Sequence, residues 1–364
     1  MGKILVITGA RQTGKTTLVQ ELLKEYTEKT KIFNCDNPTD RDFLHNRNLE
    51  FLKSVVGDSR IIFIDEAQKV ENIGQTLKLL VDEYKKRTQI IATGSSAVHL
   101  LENTGEPLTG RKRVFNLFPF SIIELFPEND PLTIHKSLEQ ILIYGLYPEV
   151  WTHENFEAKK EVLRELVSGY LFKDIFEMAL VKNPLFLTNL VKALAHQIGS
   201  EVSYNELSGL LGMDKKTVDR YIDLLEKNFI LFRLPPYTSN KRREISRTKK
   251  IYFYDLGIRN AVINNFSQIP DRNDKGALFE NFLMVERLKQ SEYGRKFINR
   301  YFWRTYDGAE IDLIEEINGR IDAFEFKWSG DKRKFLTPPE AWRNAKNFNY
   351  SVVDKNNFYE WLKL

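Results

Sequence analysis

The sequence predicts an α/β chain in three parts: a parallel sheet with helices, then a helical and winged-helix middle, then a second α/β domain. Two observations favour this order. An apolar run at residues 4–7 precedes a glycine-rich turn and a stretch of helical periodicity, whereas residues 308–327 contain two short apolar runs typical of a hairpin. With 364 residues, the chain is long enough for several cores. We predict domains at residues 1–130, 131–183, 184–255 and 256–364.

The composition limits the class of protein. Cys35 is the only cysteine, which excludes a disulfide framework and fits a reducing compartment. The five histidines are scattered, so a histidine-based zinc site has no support. No apolar run is long enough to span a membrane and no signal peptide is visible, so we expect a cytoplasmic protein without a membrane partner. The net charge of +4 is too small to predict a nucleic-acid partner by itself.

The segment Gly-Ala-Arg-Gln-Thr-Gly-Lys-Thr at residues 9–16 predicts a phosphate-binding loop, because it lies between an apolar strand pattern and a helix pattern. Its glycines permit the turn and let backbone amides approach phosphate. We expect Lys15 to reach the β- and γ-phosphates and Thr16 to offer its hydroxyl to Mg²⁺. A chance match in a flexible loop is the alternative. The predicted nucleotide ligands are Gly9, Gln12, Thr13, Gly14, Lys15, Thr16, Thr17 and Ser95.

A second buried-strand pattern at residues 60–66 ends in adjacent carboxylates, which is a Walker B pattern. We expect Asp65 to hold Mg²⁺ and Glu66 to polarise the attacking water, although a strand that ends in a solvated acidic turn is the alternative. A third strand at residues 89–92 leads into Thr-Gly-Ser-Ser, whose small polar residues, Ser95 among them, suit a sensor of the γ-phosphate or of the attacking water. With strands at residues 31–36 and 113–117, the pattern predicts five parallel strands covered by helices.

Clustered cations at residues 111–113 make Arg111 a candidate arginine finger. It would act on its own nucleotide or on that of a neighbouring subunit, and the second case implies a homo-oligomer. A basic solvated loop is an equally good interpretation.

The order of these motifs carries a resemblance. After the phosphate loop come Asp-Glu-Ala-Gln (65–68), Thr-Gly-Ser-Ser (93–96), Leu-x-Gly-Arg (108–111), Phe-Pro-Phe-Ser (118–121) and Gly-Leu-Tyr-Pro-Glu (145–149). This order resembles a widespread group of prokaryotic AAA+-type predicted ATPases, in which an N-terminal ATPase precedes a C-terminal domain of unknown function. The resemblance covers nearly the whole chain and implies an ATPase that uses ATP and Mg²⁺.

The middle of the chain is predicted to be helical at residues 134–176, with a break at residues 145–148, and to serve as a lid or connector. After Pro184 three helix patterns follow, the second capped by Ser203, at helix-turn-helix spacing. Two strand patterns at residues 229–232 and 251–254 predict a wing. The predicted phosphate-contacting cations are Lys215, Lys216 and Arg220 on the third helix, and Lys241, Arg242, Arg243, Arg247, Lys249 and Lys250 in the wing. DNA is the expected partner, and a protein-docking module is the alternative.

The last domain carries acidic residues in a nuclease-like order. Glu280 lies on a predicted helix, Asp312 on one strand of a hairpin, and Glu325-x-Lys327 on the other. The carboxylates of Glu280, Asp312 and Glu325 could bind Mg²⁺ while Lys327 holds the water that attacks a phosphodiester. Together with Gly308-x-Glu310, this arrangement resembles the PD-(D/E)-x-K nuclease superfamily, which implies a restriction-endonuclease-like fold. The alternative is a fold of nuclease ancestry that no longer cuts.

Two functions are compatible with these patterns. In the first, ATP hydrolysis controls a DNA-binding C-terminal half, with DNA cleavage left open. In the second, the chain is a slow ATP-dependent switch or scaffold that docks to a protein or DNA partner. Residues 328–364 are expected to complete the last domain with helices, with Trp342 and Trp361 in its core.

Overall fold

The computed structural model describes residues 2–45, 48–85, 87–95, 108–128, 130–171, 184–238, 248–328, 337–343 and 348–362. The chain forms two compact units. One comprises Met1–Phe118 with Lys227–Phe229, and the other Pro119–Glu226 with Ile230–Leu364. None of the described helices is long and apolar enough to cross a bilayer.

The first unit is a parallel five-stranded sheet with helices, as predicted. Its strands are β1 (Ile4–Thr8), β2 (Thr30–Asn34), β3 (Ile61–Asp65), β4 (Gln89–Gly94) and β5 (Lys112–Asn116). Its helices are α1 (Lys15–Lys24), α2 (Pro38–Leu44), α3 (Leu49–Val56) and α4 (Ile73–Tyr84), with a 3₁₀ turn at Ala67–Lys69. The strand order is β2-β3-β4-β1-β5, and every neighbouring pair is parallel.

Burial of apolar strand faces holds this sheet together. All five residues of β3 are buried, as expected of a parallel strand that is covered on both sides. Ile62 and Ile64 belong to one core cluster with Leu77 and Leu80 of α4, and Phe63 belongs to another cluster. Because all five strands are parallel, the residues that follow β1, β3 and β4 meet at one edge of the sheet, where the predicted phosphate loop lies.

The second unit begins with helices α5 (Ile122–Leu125), α6 (Pro131–Tyr144), α7 (Pro148–Thr152) and α8 (Phe156–Glu165), and a π-helical turn at Leu166–Leu171. The break predicted at residues 145–148 separates α6 from α7. Gly145 adopts φ 72° and ψ −161°, a conformation open essentially to glycine alone. Residues 172–176 of the predicted helical stretch lie outside the described residues.

The next part of the second unit combines three helices with a three-stranded sheet. The helices are α9 (Pro184–His196), α10 (Tyr204–Leu211) and α11 (Lys215–Lys227), and the strands are β6 (Glu201–Val202), β7 (Leu231–Leu234) and β8 (Lys249–Phe253) in the order β6-β8-β7. Ser203 caps α10 by accepting a hydrogen bond from the Glu206 amide. The predicted inward-facing residues Val218, Ile222 and Leu225 are buried.

The chain ends in a four-stranded sheet. Its elements are α12 (Leu256–Val262), α13 (Lys275–Tyr293), β9 (Asn299–Arg304), β10 (Glu310–Ile317), β11 (Arg320–Lys327), α14 (Glu340–Arg343), β12 (Phe348–Asp354) and α15 (Phe358–Trp361), with a 3₁₀ turn at Ile269–Asp271. The strand order is β12-β11-β10-β9. The predicted hairpin is confirmed, since β10 and β11 are antiparallel.

Residues 328–364 contribute the helices α14 and α15, as expected, but also a strand that was not predicted. Strand β12 pairs in parallel with β11. The β-branched and aromatic residues of its Phe-Asn-Tyr-Ser-Val-Val segment favour a strand, and pairing with β11 satisfies its backbone groups. Trp342 is buried in a core cluster, and Trp361 packs edge-on against Phe324 and Phe326.

Candidate functional site

The loop between β1 and α1 has the backbone geometry that phosphate binding requires. Gly9 adopts φ 155°, and a Cβ there would lie 2.0 Å from the carbonyl oxygen of Leu117. Gly14 adopts a left-handed conformation as the N-cap of α1. The loop is closed by Thr13, whose hydroxyl donates to the carbonyl of Ala10 at 2.9 Å. A larger residue at position 9 would therefore force the loop away from the end of β5.

Lys15 is buried and held by the loop itself. Its Nζ donates to the carbonyls of Gly9 at 3.0 Å and Ala10 at 2.7 Å. Burial lowers the pKa of the Lys15 ammonium to about 8, although the carboxylates of Glu66 and Asp65 act in the opposite direction. The ammonium of Lys15 is thus held by the backbone carbonyls of the phosphate loop.

Thr16 and Asp65 come together from different elements. The Thr16 hydroxyl donates to Asp65 Oδ2 at 2.9 Å and lies 3.0 Å from Oδ1. Thr93, at the end of β4, also donates to Asp65 Oδ1. A hydroxyl and a carboxylate side by side are the kind of oxygen pair with which proteins hold Mg²⁺ that is also bound by phosphates. These residues fit the ion that the sequence predicts.

Glu66 is fixed by its neighbours. Its φ of 51° turns the chain sharply after β3, and its amide donates to Thr93 Oγ1 at 3.2 Å. Gln68 Nε2 donates to Glu66 Oε2 at 2.5 Å and to Ser95 Oγ at 3.2 Å. The sequence analysis gave Gln68 no role. Its position two residues after Glu66, in the 3₁₀ turn, could have indicated that its side chain reaches Glu66.

The remaining predicted nucleotide ligands occupy the same edge of the first unit. Gln12 and Thr17 are exposed, whereas Ser95 is buried directly after β4. Ser96 lies outside the described residues.

Arg111 does not belong to this edge. Its carbonyl accepts a hydrogen bond from the amide of Ile4, at the start of β1, and its Nε donates to Asp82 at 2.7 Å. The phosphate loop begins after Thr8, roughly 13 Å further along the strand. These contacts do not support a finger that acts on its own nucleotide, and the arginine-finger role stays a prediction.

Helix α11 separates its charges by face. Arg233 of β7 engages three acidic residues of α11: Asp219 at 3.2 Å, Asp223, and Glu226 at 2.5 Å. Lys215, Lys216 and Arg220 remain exposed. Arg233 thus compensates the acidic residues of one face, and the exposed cations make the N-terminal part of the helix basic. Lys241, Arg242, Arg243 and Arg247 of the predicted wing lie outside the described residues.

The predicted nuclease-like residues meet in the second unit around a lysine. Lys250 Nζ of β8 lies 3.0 Å from Glu280 Oε1 of α13 and 3.6 Å from Asp312 Oδ1 of β10, and it pairs with Glu310 Oε1. Tyr252 Oη donates to the same Glu280 oxygen at 2.6 Å. We call these five residues the Lys250 cluster.

Glu325 and Lys327 form a separate pair next to this cluster. Lys327 Nζ lies 2.6 Å from Glu325 Oε1, and the other Glu325 oxygen is buried without a hydrogen-bond partner among the described residues. Burial raises the pKa of Glu325 to about 7, and the neighbouring Asp312 adds to the effect. Burial also raises the pKa of Glu280 to about 7, against the opposing charge of Lys250.

The Lys250 cluster does not fit a divalent metal. Within the described part of the chain, no group of three or more His, Cys, Asp or Glu side chains is placed to hold a metal ion. The ammonium of Lys250 instead lies among the carboxylates of Glu280, Glu310 and Asp312. The residues present therefore do not support the Mg²⁺ site predicted on Glu280, Asp312 and Glu325.

Comparisons with known proteins match three successive parts of the chain to family models. Residues 1–126 match the family model of an AAA domain, whereas residues 135–269 and 275–360 match two domains of unknown function, DUF8612 and DUF4143. The AAA match suggests ATP binding and hydrolysis for the first unit. The other two matches carry no function.

Relatives that share most of this chain are uncharacterised. One from Mycobacterium tuberculosis is 27% identical over 326 residues, which cover 89% of this chain and 70% of that protein. One from Methanocaldococcus jannaschii is 24% identical over 381 residues, covering 98% and 82%. One from Haemophilus influenzae is 23% identical over 338 residues, covering 85% and 79%. The similarity spans most of the chain and includes its C-terminal half.

Proposed function

We propose that the protein binds and hydrolyses ATP with Mg²⁺, and that its nucleotide cycle controls a DNA-binding C-terminal half. The observation that carries the first part is the meeting of Thr16 and Asp65 beside the buried ammonium of Lys15. The AAA match over residues 1–126 supports the same activity.

Each residue of the first site has a role in this proposal. Lys15 exchanges its two loop carbonyls for the β- and γ-phosphates, and the loop amides contact phosphate oxygens. Thr16 and Asp65 hold Mg²⁺, which would neutralise phosphate charge when bound. Glu66 accepts a proton from the attacking water, and Ser95 reports on the γ-phosphate through Gln68.

The geometry of the second unit supports DNA as a partner. Helices α9, α10 and α11 and the sheet β6-β8-β7 are the set of elements expected of a winged helix. The exposed cations Lys215, Lys216 and Arg220 stand at the start of α11, where a recognition helix contacts DNA. Phosphate contacts from these residues would make the binding strongly salt-dependent.

The second candidate function is an ATP-dependent switch or scaffold whose nuclease-like domain does not cut. The Lys250 cluster favours this candidate, because a lysine takes up the carboxylates that a metal would need. Both candidates share the ATPase site and differ in how DNA affects turnover.

The test is ATP hydrolysis by the full chain with and without duplex DNA, compared with Lys15→Ala. We expect turnover in the wild type, loss of turnover in the variant, and stimulation by DNA. Slow turnover that DNA does not change would favour the switch. Equal turnover in both proteins would exclude the proposed site.

A further inference from the structure

We propose that the Lys250 ammonium is the resident cation of the acidic cluster in the second unit, so that this cluster excludes divalent metal and the domain does not cleave DNA. The inference deepens the second candidate function, in which the nuclease-like domain does not cut, and ATP hydrolysis does not depend on it. It concerns the residues that resemble a nuclease site and that the fold brings together around a lysine.

The Lys250 ammonium occupies the position that a metal would need. Its nitrogen contacts one oxygen each of Glu280, Glu310 and Asp312, from helix α13 and strand β10. In a metal-dependent nuclease site, such oxygens would turn toward the metal at about 2.1 Å. An ammonium has three hydrogens to donate, and three carboxylates surround it here. A metal that used these oxygens would have to displace the ammonium or lie beside its positive charge, which Coulomb repulsion opposes.

Lys250 is also fixed in place. It pairs with Leu234 of β7 and with Glu201 of β6, so its backbone lies in the middle strand of a sheet. Its side chain is 2% exposed, and the ammonium lies 5.6 Å from the centre of the Phe302 ring. Swinging the side chain out to admit a metal would leave these carboxylates buried without their cation.

Tyr252, two residues further along β8, reinforces this arrangement. Residues two apart on a strand share a face, and both Lys250 and Tyr252 reach Glu280 Oε1. Strand β8 thus presents a matched pair of donors to the helix that carries Glu280. The ion pairs of the cluster therefore connect the three-stranded sheet to α13 and β10.

Lys327, to which the nuclease-like pattern assigns water activation, is also paired with a carboxylate. Its ammonium pairs with Glu325 at 2.6 Å. The second pair therefore also has its own cation, which contacts one oxygen of Glu325, while the other oxygen has no hydrogen-bond partner among the described residues.

The experiment measures Mn²⁺ binding by electron paramagnetic resonance on the full chain without nucleotide. Comparison of wild type with Asp312→Asn isolates the cluster from the ATPase site, because only the cluster loses a carboxylate. We expect equal Mn²⁺ binding in these two proteins. Lys250→Met should gain a Mn²⁺ site that is lost in the Lys250→Met, Asp312→Asn double variant. Lys249→Met, on the neighbouring residue, is the control and should gain none.

A Mn²⁺ site in the wild type that Asp312→Asn removes would overturn the proposal. So would wild-type cleavage of labelled duplex DNA that Lys327→Ala abolishes, or a folded Lys250→Met protein without the new site. If Lys250→Met does not fold, the comparison of wild type with Asp312→Asn decides alone. None of these outcomes bears on ATP hydrolysis.

Discussion

The side-chain amide of Gln68 lies 2.5 Å from the carboxylate of Glu66 and donates a hydrogen bond to it. The same nitrogen reaches Ser95 at 3.2 Å. Gln68 thus connects the proposed catalytic carboxylate with the proposed γ-phosphate sensor, and we expect it to position Glu66.

Replacement of Gln68 by Leu should lower kcat for ATP hydrolysis and leave KM for ATP within about twofold. A hydrogen bond to a charged group contributes about 1.5–3 kcal/mol, so a loss of roughly 10- to 100-fold in kcat is expected if the bond orients Glu66 in the transition state. Gln75→Leu, on the exposed side of α4, is the matched control. A rise in KM with unchanged kcat would assign Gln68 to nucleotide binding instead.

Glu66→Gln should retain ATP binding and lose turnover, because the amide cannot accept the proton of the attacking water. Fluorescent-nucleotide titration and phosphate release measure the two effects separately. Lys327→Ala, in the second unit, is the comparison and should hydrolyse ATP at the wild-type rate. Normal turnover in the Glu66 variant would refute its assignment as the catalytic base.

Gly145→Ala should destabilise the second unit by about 3 kcal/mol, since the residue needs a glycine-only conformation and the added Cβ would overpack its surroundings. That Cβ would lie 2.1 Å from Asp255 Oδ1, and Asp255 accepts the amide of Leu146 at 2.7 Å. The midpoint of urea unfolding reports the change. Gly209→Ala, within α10 and with open space around its Cβ, should instead stabilise the same unit by about 0.5–1 kcal/mol.

Because of Asp274, the free energy of unfolding of the second unit should decrease as the pH falls below about 4. Burial alone would raise the pKa of Asp274, but hydrogen bonds and charges from Arg272 and Arg259 outweigh it and lower the pKa to about 2. A carboxyl with a depressed pKa stabilises the fold above its unfolded pKa of about 3.9, and this contribution of about 2 kcal/mol is lost as the pH falls from about 4 toward 2.

The measurement is the free energy of unfolding of wild type and Asp274→Asn between pH 6 and pH 2. The difference between the two proteins should be largest above pH 4 and should shrink toward pH 2. Asp307→Asn, in an exposed turn, is the control. A difference that stays constant over this range would mean that Asp274 contributes through its shape and not through its charge.

Lys216→Glu should weaken binding to duplex DNA and reduce the slope of log affinity against log salt by about one or more, because a phosphate contact is lost. Fluorescence anisotropy at several salt concentrations measures both quantities. Lys24→Glu makes the same change of charge at a 70% exposed site in the first unit and should leave the slope unchanged. Equal effects of the two variants would indicate that only net charge matters.

Local sequence patterns were enough to predict the first unit and its phosphate loop. They suffice there because a buried parallel strand is a continuous apolar run and the loop needs glycine at fixed positions. The β10–β11 hairpin was also predictable, since its alternating residues are close in the chain. Strand β12 was missed because its pairing with β11 depends on contacts across a long sequence separation.

Which charges meet could be learned only from the packed chain. Lys250 was expected among wing residues that contact phosphate, yet β8 places it against Glu280 and Asp312, 30 and 62 residues further along. Arg111 was a candidate to act at a nucleotide, yet its carbonyl pairs with Ile4, at the end of β1 away from the phosphate loop. Gln68 stood in a recognised motif without a role until Glu66 and Ser95 were placed beside it. A side chain's type fixes its chemistry, but packing chooses its partners, and the partners decide whether a carboxylate faces a metal, a lysine or water.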